Sequence, residues 1–310
     1  MGSATHQVLG DRWWSSETVA MVTGGNKGIG LEIVRRLALE GLTVILTARD
    51  ETRGLKATQS LHAQGLQNVV FHTLDIGDSE SRAQFVEWIQ KTYGGLDILV
   101  NNAAVFHNDN VYETAVETMK INYRGTVGLT EELLPLFKAS QAGARIVTVS
   151  SWVGKLMVLN DEQVRKKLTD VTQFDQKYLD ELEQKYLEAC RAGNGEPNGY
   201  TNTAYRFSKV LINSYSRLLA LRLANQPSGQ QIYLRLVHPG FVRTDIHRKL
   251  MNMLDEEAYQ KLVASGGFNH EELIGVEEGA DTPVWLCLVP AGDQIPSGRL
   301  WFKREELSYT

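Results

Sequence analysis

The sequence predicts an α/β fold: a single domain built on one doubly wound, seven-stranded parallel sheet with helices on both faces. Three observations predict it. Short β-branched or apolar runs alternate with segments of helical period, as βαβ units require. A Gly-rich turn, Thr23-Gly24-Gly25-Asn26-Lys27-Gly28-Ile29-Gly30, stands between the first run and the first helical segment. The 310 residues, 43% hydrophobic, suffice for a large core, and no internal repeat or Pro/Gly/Ser-rich linker divides 1–310.

The expected strands are Val19 to Thr23, Val44 to Thr47, Val69 to Leu74, Ile98 to Val100, Ile146 to Val149, Ile232 to Val237 and Leu300 to Phe302. Between the first two, Gly30 to Leu39 places Ile33, Val34, Leu37 and Leu39 as a crossover helix should. Right-handed crossovers then wind the sheet outward in both directions. Two segments break the rhythm. Residues of about 155–203 carry Tyr178, Leu179, Leu182, Tyr186, Leu187 and Cys190 at helical spacing up to Gly193, an inserted helix. Residues of about 245–274 carry a second stripe, Leu250, Met251, Leu254, Tyr259 and Leu262, ahead of Gly266-Gly267. Each either covers core or covers a pocket, because both adjoin the motif residues in sequence.

Composition excludes several classes of function. With 32 basic and 37 acidic residues the net charge is −5, so no overall basic field attracts nucleic acid or an anionic membrane. Cys190 and Cys287 form no CxxC pair, and the histidines show no HxxxH or HExxH spacing, so no metal is assigned. His238 reads as structural. No apolar run reaches the roughly 18 residues of a membrane span, and the first twenty residues lack a signal-peptide pattern. The expectation is a cytoplasmic protein with reduced thiols.

The glycine turn follows a strand and opens a helix, the context that marks a dinucleotide site. Gly24 permits the sharp turn, while Gly28 and Gly30, with Asn26 and Ile29 between and beside them, bring backbone close to a pyrophosphate at the helix N-terminus. After the second strand stands Arg49 rather than an acid, and Lys27 lies within the turn. Two cations there suit a 2′-phosphate and favour NADP(H) over NAD, with Asp50 as the competing ribose contact. Asp75-Ile76 and Asn101-Asn102 follow the third and fourth strands, where loops meet the adenine side of a nucleotide. His238-Pro239-Gly240-Phe241-Val242-Arg243-Thr244, after the sixth, is placed to hold a nicotinamide carboxamide through backbone and the Thr244 hydroxyl.

Tyr205 and Lys209 are four apart and share a helix face. A tyrosine is a poor acid–base group at neutral pH, but an ammonium and an oxidised nicotinamide beside it favour the phenolate. Lys209 can also hold the cofactor ribose. Ser151 is placed to donate to a substrate oxygen as charge develops, with Ser150 as the competing residue. Asn122 is expected to position water behind Lys209. Trp152, Phe241 and Met251 are candidate pocket residues.

TGGNKGIG, LTARD, NNAA, INYRG, VTVSS, TAYRFSK and HPGFVRTD occur in an order that resembles the short-chain dehydrogenase/reductase family from about Thr18 onward. Glu277 to Pro283 and the long stretch before Tyr205 are similar to its carbonyl reductase branch, and to plant reductases of the menthone and salutaridine type. Arg12-Trp13-Trp14 also resembles the plant group. The resemblance implies a Rossmann fold, Asn122, Ser151, Tyr205 and Lys209 as catalytic residues, and a monomer whose usual dimer face is blocked by the inserted helix. Ala104 stands where the family usually has glycine, and Thr203 where it frequently has serine.

The expected activity is NADPH-dependent reduction of a ketone or aldehyde of an apolar small molecule, of terpenoid, phenolic or alkaloid type, in plant secondary metabolism. An NAD-dependent alcohol dehydrogenase and a non-catalytic NADPH-binding or sensing protein are the alternatives.

Overall fold

The computed structural model describes residues 12–107, 109, 111–193, 199–201, 203–248, 273–290 and 295–309. Seven parallel strands form the sheet: β1 (Val19–Val22), β2 (Thr43–Ala48), β3 (Val69–Thr73), β4 (Ile98–Asn101), β5 (Ala144–Val149), β6 (Ile232–Val237) and β9 (Leu300–Phe302). They lie in the order β3-β2-β1-β4-β5-β6-β9, with neighbours parallel throughout. The order reverses between β1 and β4, so a crevice opens beyond their carboxyl ends. Every residue of β1, β4 and β5 is buried, as strands covered on both faces must be.

Helices α1 (Gly28–Leu39), α2 (Glu51–His62) and α10 (Asp281–Leu288) cover one face. Helices α3 (Ser79–Tyr93), α4 (Tyr112–Thr118), α5 (Thr126–Leu133) and α8 (Ala204–Leu223) cover the other. Asp50, Asp78 and Thr203 cap α2, α3 and α8 through their side chains. Lys27 at the head of α1 gives no such bond. The first amides of α1 are left open, as a helix that receives an anion requires.

The sheet has an eighth strand that the sequence does not announce. Lys303 and Arg304 have φ of 49° and 63°, and this turn returns β10 (Glu305–Leu307) antiparallel along β9. Positive φ at both central residues fits a tight hairpin, but Lys-Arg lacks the Asn-Gly signature that would betray it. Leu39, expected on the buried stripe of α1, is 59% exposed, because it lies on the last turn beyond the sheet.

The inserted segment holds two helices, α6 (Glu162–Thr169) and α7 (Gln176–Arg191). Leu179, Leu182, Tyr186 and Cys190 of α7 are buried in the core beside α8, with the Tyr186 ring stacked 4.4 Å from that of Phe207. So α7 covers core. In the second segment, the expected stripe from Leu250 to Leu262, Met251 included, lies outside the described residues. A small separate pair, β7 (Phe241–Val242) with β8 (Leu273–Ile274), brackets that segment, and α9 (Val276–Gly279) follows. Among the described residues no helix is long and apolar enough to cross a membrane, and no group of side chains is arranged to hold a metal ion.

Candidate active site

The glycine turn owes its shape to backbone that only glycine tolerates. Gly24 and Gly28 have φ of +61° and +56°. A Cβ on Gly30 would lie 2.3 Å from the Asn102 amide nitrogen and 2.6 Å from the Gly24 carbonyl oxygen. Asn102 holds this arrangement: its side chain donates to the carbonyls of Thr23 and Gly24 at 2.9 and 3.2 Å, and its backbone N–H donates to the Thr23 hydroxyl at 2.9 Å. The sequence placed Asn102 against adenine. Its amide is instead committed to bracing the turn, although the residue still faces the cleft.

That cleft encloses about 780 Å³ at the carboxyl edge of β1, β2 and β4. Gly24, Asn26, Lys27, Gly28, Ile29 and Gly30 form one wall, with Arg49, Asp75, Ile76, Asn102 and Thr244 around them. Pro239, Gly240 and Val242 are not among its lining. Val242 is 5% exposed and pairs with Ile274, while Gly240 turns at φ +89° against the Ile274 side chain. Of the loop after β6, only its distal part reaches the cleft, because the β7–β8 pair draws the intervening residues aside.

The cations differ from expectation. Lys27 Nζ pairs with Asp245 at 2.6 Å, so it ties the glycine turn to the segment after Thr244. Arg49 is exposed on the cleft and, among the described residues, has no carboxylate within ion-pair distance. Asp50 lines the cleft with its carboxylate already engaged: it caps α2 at the Arg53 N–H (2.9 Å) and accepts from Arg53 Nε (2.7 Å). Arg53, which sequence reasoning missed, joins Arg49 on the wall. The four-residue spacing of Arg49 and Arg53 across the start of a helix was the available signal. Phe106, His107 and Arg248 were also missed, since the segments that carry them hold no motif.

Tyr205 occupies the first turn of α8, and Lys209 the next turn. Ser151 lies beside the Tyr205 hydroxyl, and Phe106 packs edge-on against the Tyr205 ring at 5.0 Å. Burial pushes Tyr205 up to about 12, against a smaller downward pull from Ser151. Lys209 Nζ lies 5.6 Å from the Tyr205 ring centre and donates to the Val149 carbonyl at 3.0 Å. Its own burial pulls it down to about 8.

The choice between the two serines is geometric. Ser150 is buried, donating its hydroxyl to Asn213, so it is turned away from Tyr205. Ser151 keeps partial exposure and meets the tyrosine. Asn122 lies in a π-helical turn, Met119–Gly125, of a kind frequent at functional sites. Its Oδ1 accepts from Val105 N–H at 2.8 Å, and its Nδ2 donates to Val105 O at 2.9 Å and to Ser208 Oγ at 3.1 Å. Ser208 in turn donates to the Tyr205 carbonyl at 2.7 Å. The Asn122 side chain therefore clamps the loop after β4 to α8. His238 is packed among Trp152, Phe241 and Phe302, and burial pulls it down to about 4. It is structural, as expected.

Comparison with known proteins agrees with this geometry. The family model described as short chain dehydrogenase matches residues 18–161. A protein of Saponaria officinalis, short-chain dehydrogenase/reductase 1, is 36% identical, the match covering 93% of this chain and 95% of that one. The chain belongs to the short-chain dehydrogenase/reductase family. Another member, carbonyl reductase [NADPH] 1 of Bos taurus, is 37% identical over 92% of this chain and 95% of its own. Among solved structures, salutaridine reductase from Papaver somniferum superposes with a TM-score of 0.76 at 31% identity, covering 92% of this chain and 99% of that chain. The family model stops before α8, so the likeness across the insert and Tyr205 rests on these nearly full-length relatives.

Proposed function

We propose that this protein is an NADPH-dependent carbonyl reductase, reducing a ketone or aldehyde of a largely apolar small molecule of terpenoid, phenolic or alkaloid type. The observation that carries the reading is Ser151 set beside Tyr205 with Lys209 one turn away, joined through Phe106 to the cleft built on the glycine turn. The residues present fit the cofactor: Gly30 leaves space that a Cβ would fill, the head of α1 is uncapped, and Arg49 and Arg53 suit a 2′-phosphate. When bound, NADPH supplies the hydride.

The chain supplies orientation and a proton. Ser151 donates to the carbonyl oxygen as negative charge grows on it. Tyr205 then gives its phenolic proton to the alkoxide oxygen. A tyrosine pushed up to about 12 holds that proton until an alkoxide accepts it, which suits reduction. Lys209, below its value of about 8, is an ammonium that steadies the phenolate left behind. Asn122 is a positioning residue that fixes α8 against the loop after β4. The relatives named carbonyl reductase [NADPH] 1 and salutaridine reductase support cofactor and substrate class alike. The reading also takes the protein to be a cytoplasmic monomer.

The deciding experiment follows NADPH and NADH absorbance in parallel against apolar ketones, aldehydes and quinones, with Tyr205→Phe as control. Turnover with NADPH that collapses in the variant supports the reading. Tight NADPH binding by titration with no carbonyl reduced points to a binding protein, and equal use of NADH overturns the cofactor assignment.

A further inference from the structure

Tyr205 and Lys209 are four apart on α8, and the next residue at that spacing, Asn213, shares their face of the helix. This face grips the end of β5 and the turn beyond it. Lys209 Nζ donates to the Val149 carbonyl at 3.0 Å. Asn213, 1% exposed, accepts from the Ser150 hydroxyl through Oδ1, and its Nδ2 donates to the Gly154 carbonyl at 2.8 Å. A carbonyl only accepts, so the amide nitrogen must face Gly154 and the amide oxygen Ser150. Both ends of the Asn213 amide are thereby committed.

Ser151 lies between the two residues that Asn213 holds. Before it, the Ser150 N–H donates to the Val237 carbonyl at 2.8 Å and extends the ladder between β5 and β6. After it, the chain turns through the 3₁₀ segment Trp152–Gly154, closed by the Gly154 N–H donating to the Ser151 carbonyl at 3.0 Å. Gly154 is pressed against α8: a Cβ there would lie 2.6 Å from Asn213 Nδ2 and 2.8 Å from the Lys209 carbonyl oxygen. The helix that carries Tyr205 therefore also sets the path of the chain on both sides of Ser151. A displacement of about 1 Å at a reacting group costs up to about a hundredfold in rate.

We infer that Asn213 is a positioning residue for the reaction: by holding Ser150 and Gly154 against α8, it fixes where the Ser151 hydroxyl stands beside Tyr205. The inference rests on the reductase reading above and adds to it a residue that touches neither substrate nor cofactor.

The test measures NADPH-dependent reduction of the carbonyl in the panel above that the wild-type protein turns over fastest. Asn213→Ala is expected to lower kcat about tenfold with the KM for NADPH unchanged, whereas in a Ser151→Ala background it changes kcat by less than about twofold, because no hydroxyl is left to misplace. Asn213→Ser keeps a hydroxyl for Ser150 but is too short to hold Gly154. It is expected to show the same pattern, and it serves if Asn213→Ala fails to fold. A general loss of structure would lower kcat in both backgrounds alike. Equal losses in the two backgrounds, or no loss in either, overturn the inference and leave the reductase reading intact. If the wild type reduces no carbonyl, the reductase reading fails and a readout without turnover decides the inference. With 3-fluorotyrosine in place of Tyr205, the fluorine resonance reports on the hydroxyl's surroundings, and eight residues of helix, about 12 Å, separate it from Asn213. Asn213→Ala is expected to move that resonance as Ser151→Ala does, with no further shift when the two are combined. A resonance unmoved by Asn213→Ala, or shifts that add in the double variant, overturns the inference.

Discussion

At the scale of single residues, burial sets the chemistry more than neighbouring charge does. Lys209 is pulled down to about 8 by desolvation, so it holds its proton below that value and releases it above. Carbonyl reduction is expected to lose kcat/KM as pH rises through about 8, measured as a rate–pH profile with NADPH saturating. Tyr205→Phe removes the proton donor and is expected to cost about 10²–10⁴-fold in kcat with NADPH affinity retained. The serines separate by kind of loss. Ser151→Ala is expected to lower kcat about a hundredfold. Ser150→Ala instead leaves the buried Asn213 amide short of a partner and costs about 1–3 kcal/mol of stability, read by urea unfolding. The motif alone left that choice open, because adjacent serines differ in which way the strand end turns them. His238 makes a distinct prediction. Folded, it stays neutral down to about 4, whereas unfolded it titrates near its ordinary value of 6.5. Between those values the unfolded chain binds the extra proton, so stability falls as pH drops through this window. The loss from this residue between pH 7 and pH 5 is about 2 kcal/mol, and His238→Gln should abolish that part of the slope.

At the scale of elements, the turn and the loop that braces it form one unit. Gly30→Ala drives a Cβ into the Asn102 amide and the Gly24 carbonyl, so either the brace or the head of α1 must move. The expected result is loss of NADPH binding by fluorescence titration, with folding largely retained by circular dichroism. Glycine spacing displayed the turn in the sequence, but the brace from Asn102 was hidden, since it joins residues 79 positions apart along the chain. Helix α7 was legible from its stripe, and its burial on α8 makes Leu182→Ala an expected loss of about 2–5 kcal/mol. The π-helical turn around Asn122 and the β9–β10 hairpin were not legible. One is an insertion into an otherwise regular helical pattern, and the other is a turn made by residues of poor turn propensity.

At the scale of the whole molecule, a switch in strand order between β1 and β4 creates the crevice, and cations gathered from three connections line it. Arg49 and Arg53 are both solvent-facing, so their contribution to a 2′-phosphate should weaken with added salt. Removing both, in Arg49→Ala/Arg53→Ala, is expected to raise the Kd for NADPH far more than that for NADH, as read by titration in low and high salt. Lys27 and Arg53 are each already paired, with Asp245 and Asp50, whereas Arg49 has no carboxylate within ion-pair distance among the described residues. By itself the sequence determined the α/β class, the seven parallel strands, the glycine turn and the order of Asn122, Ser151, Tyr205 and Lys209. Periodicity and short spacings are local properties, and each is written in consecutive residues. Only the tertiary structure decided which serine meets Tyr205, that Asp50 is engaged by Arg53, and that Asn102 braces the turn. Those outcomes depend on which distant groups share a small buried volume, and no spacing along one chain encodes the competition for hydrogen bonds within it.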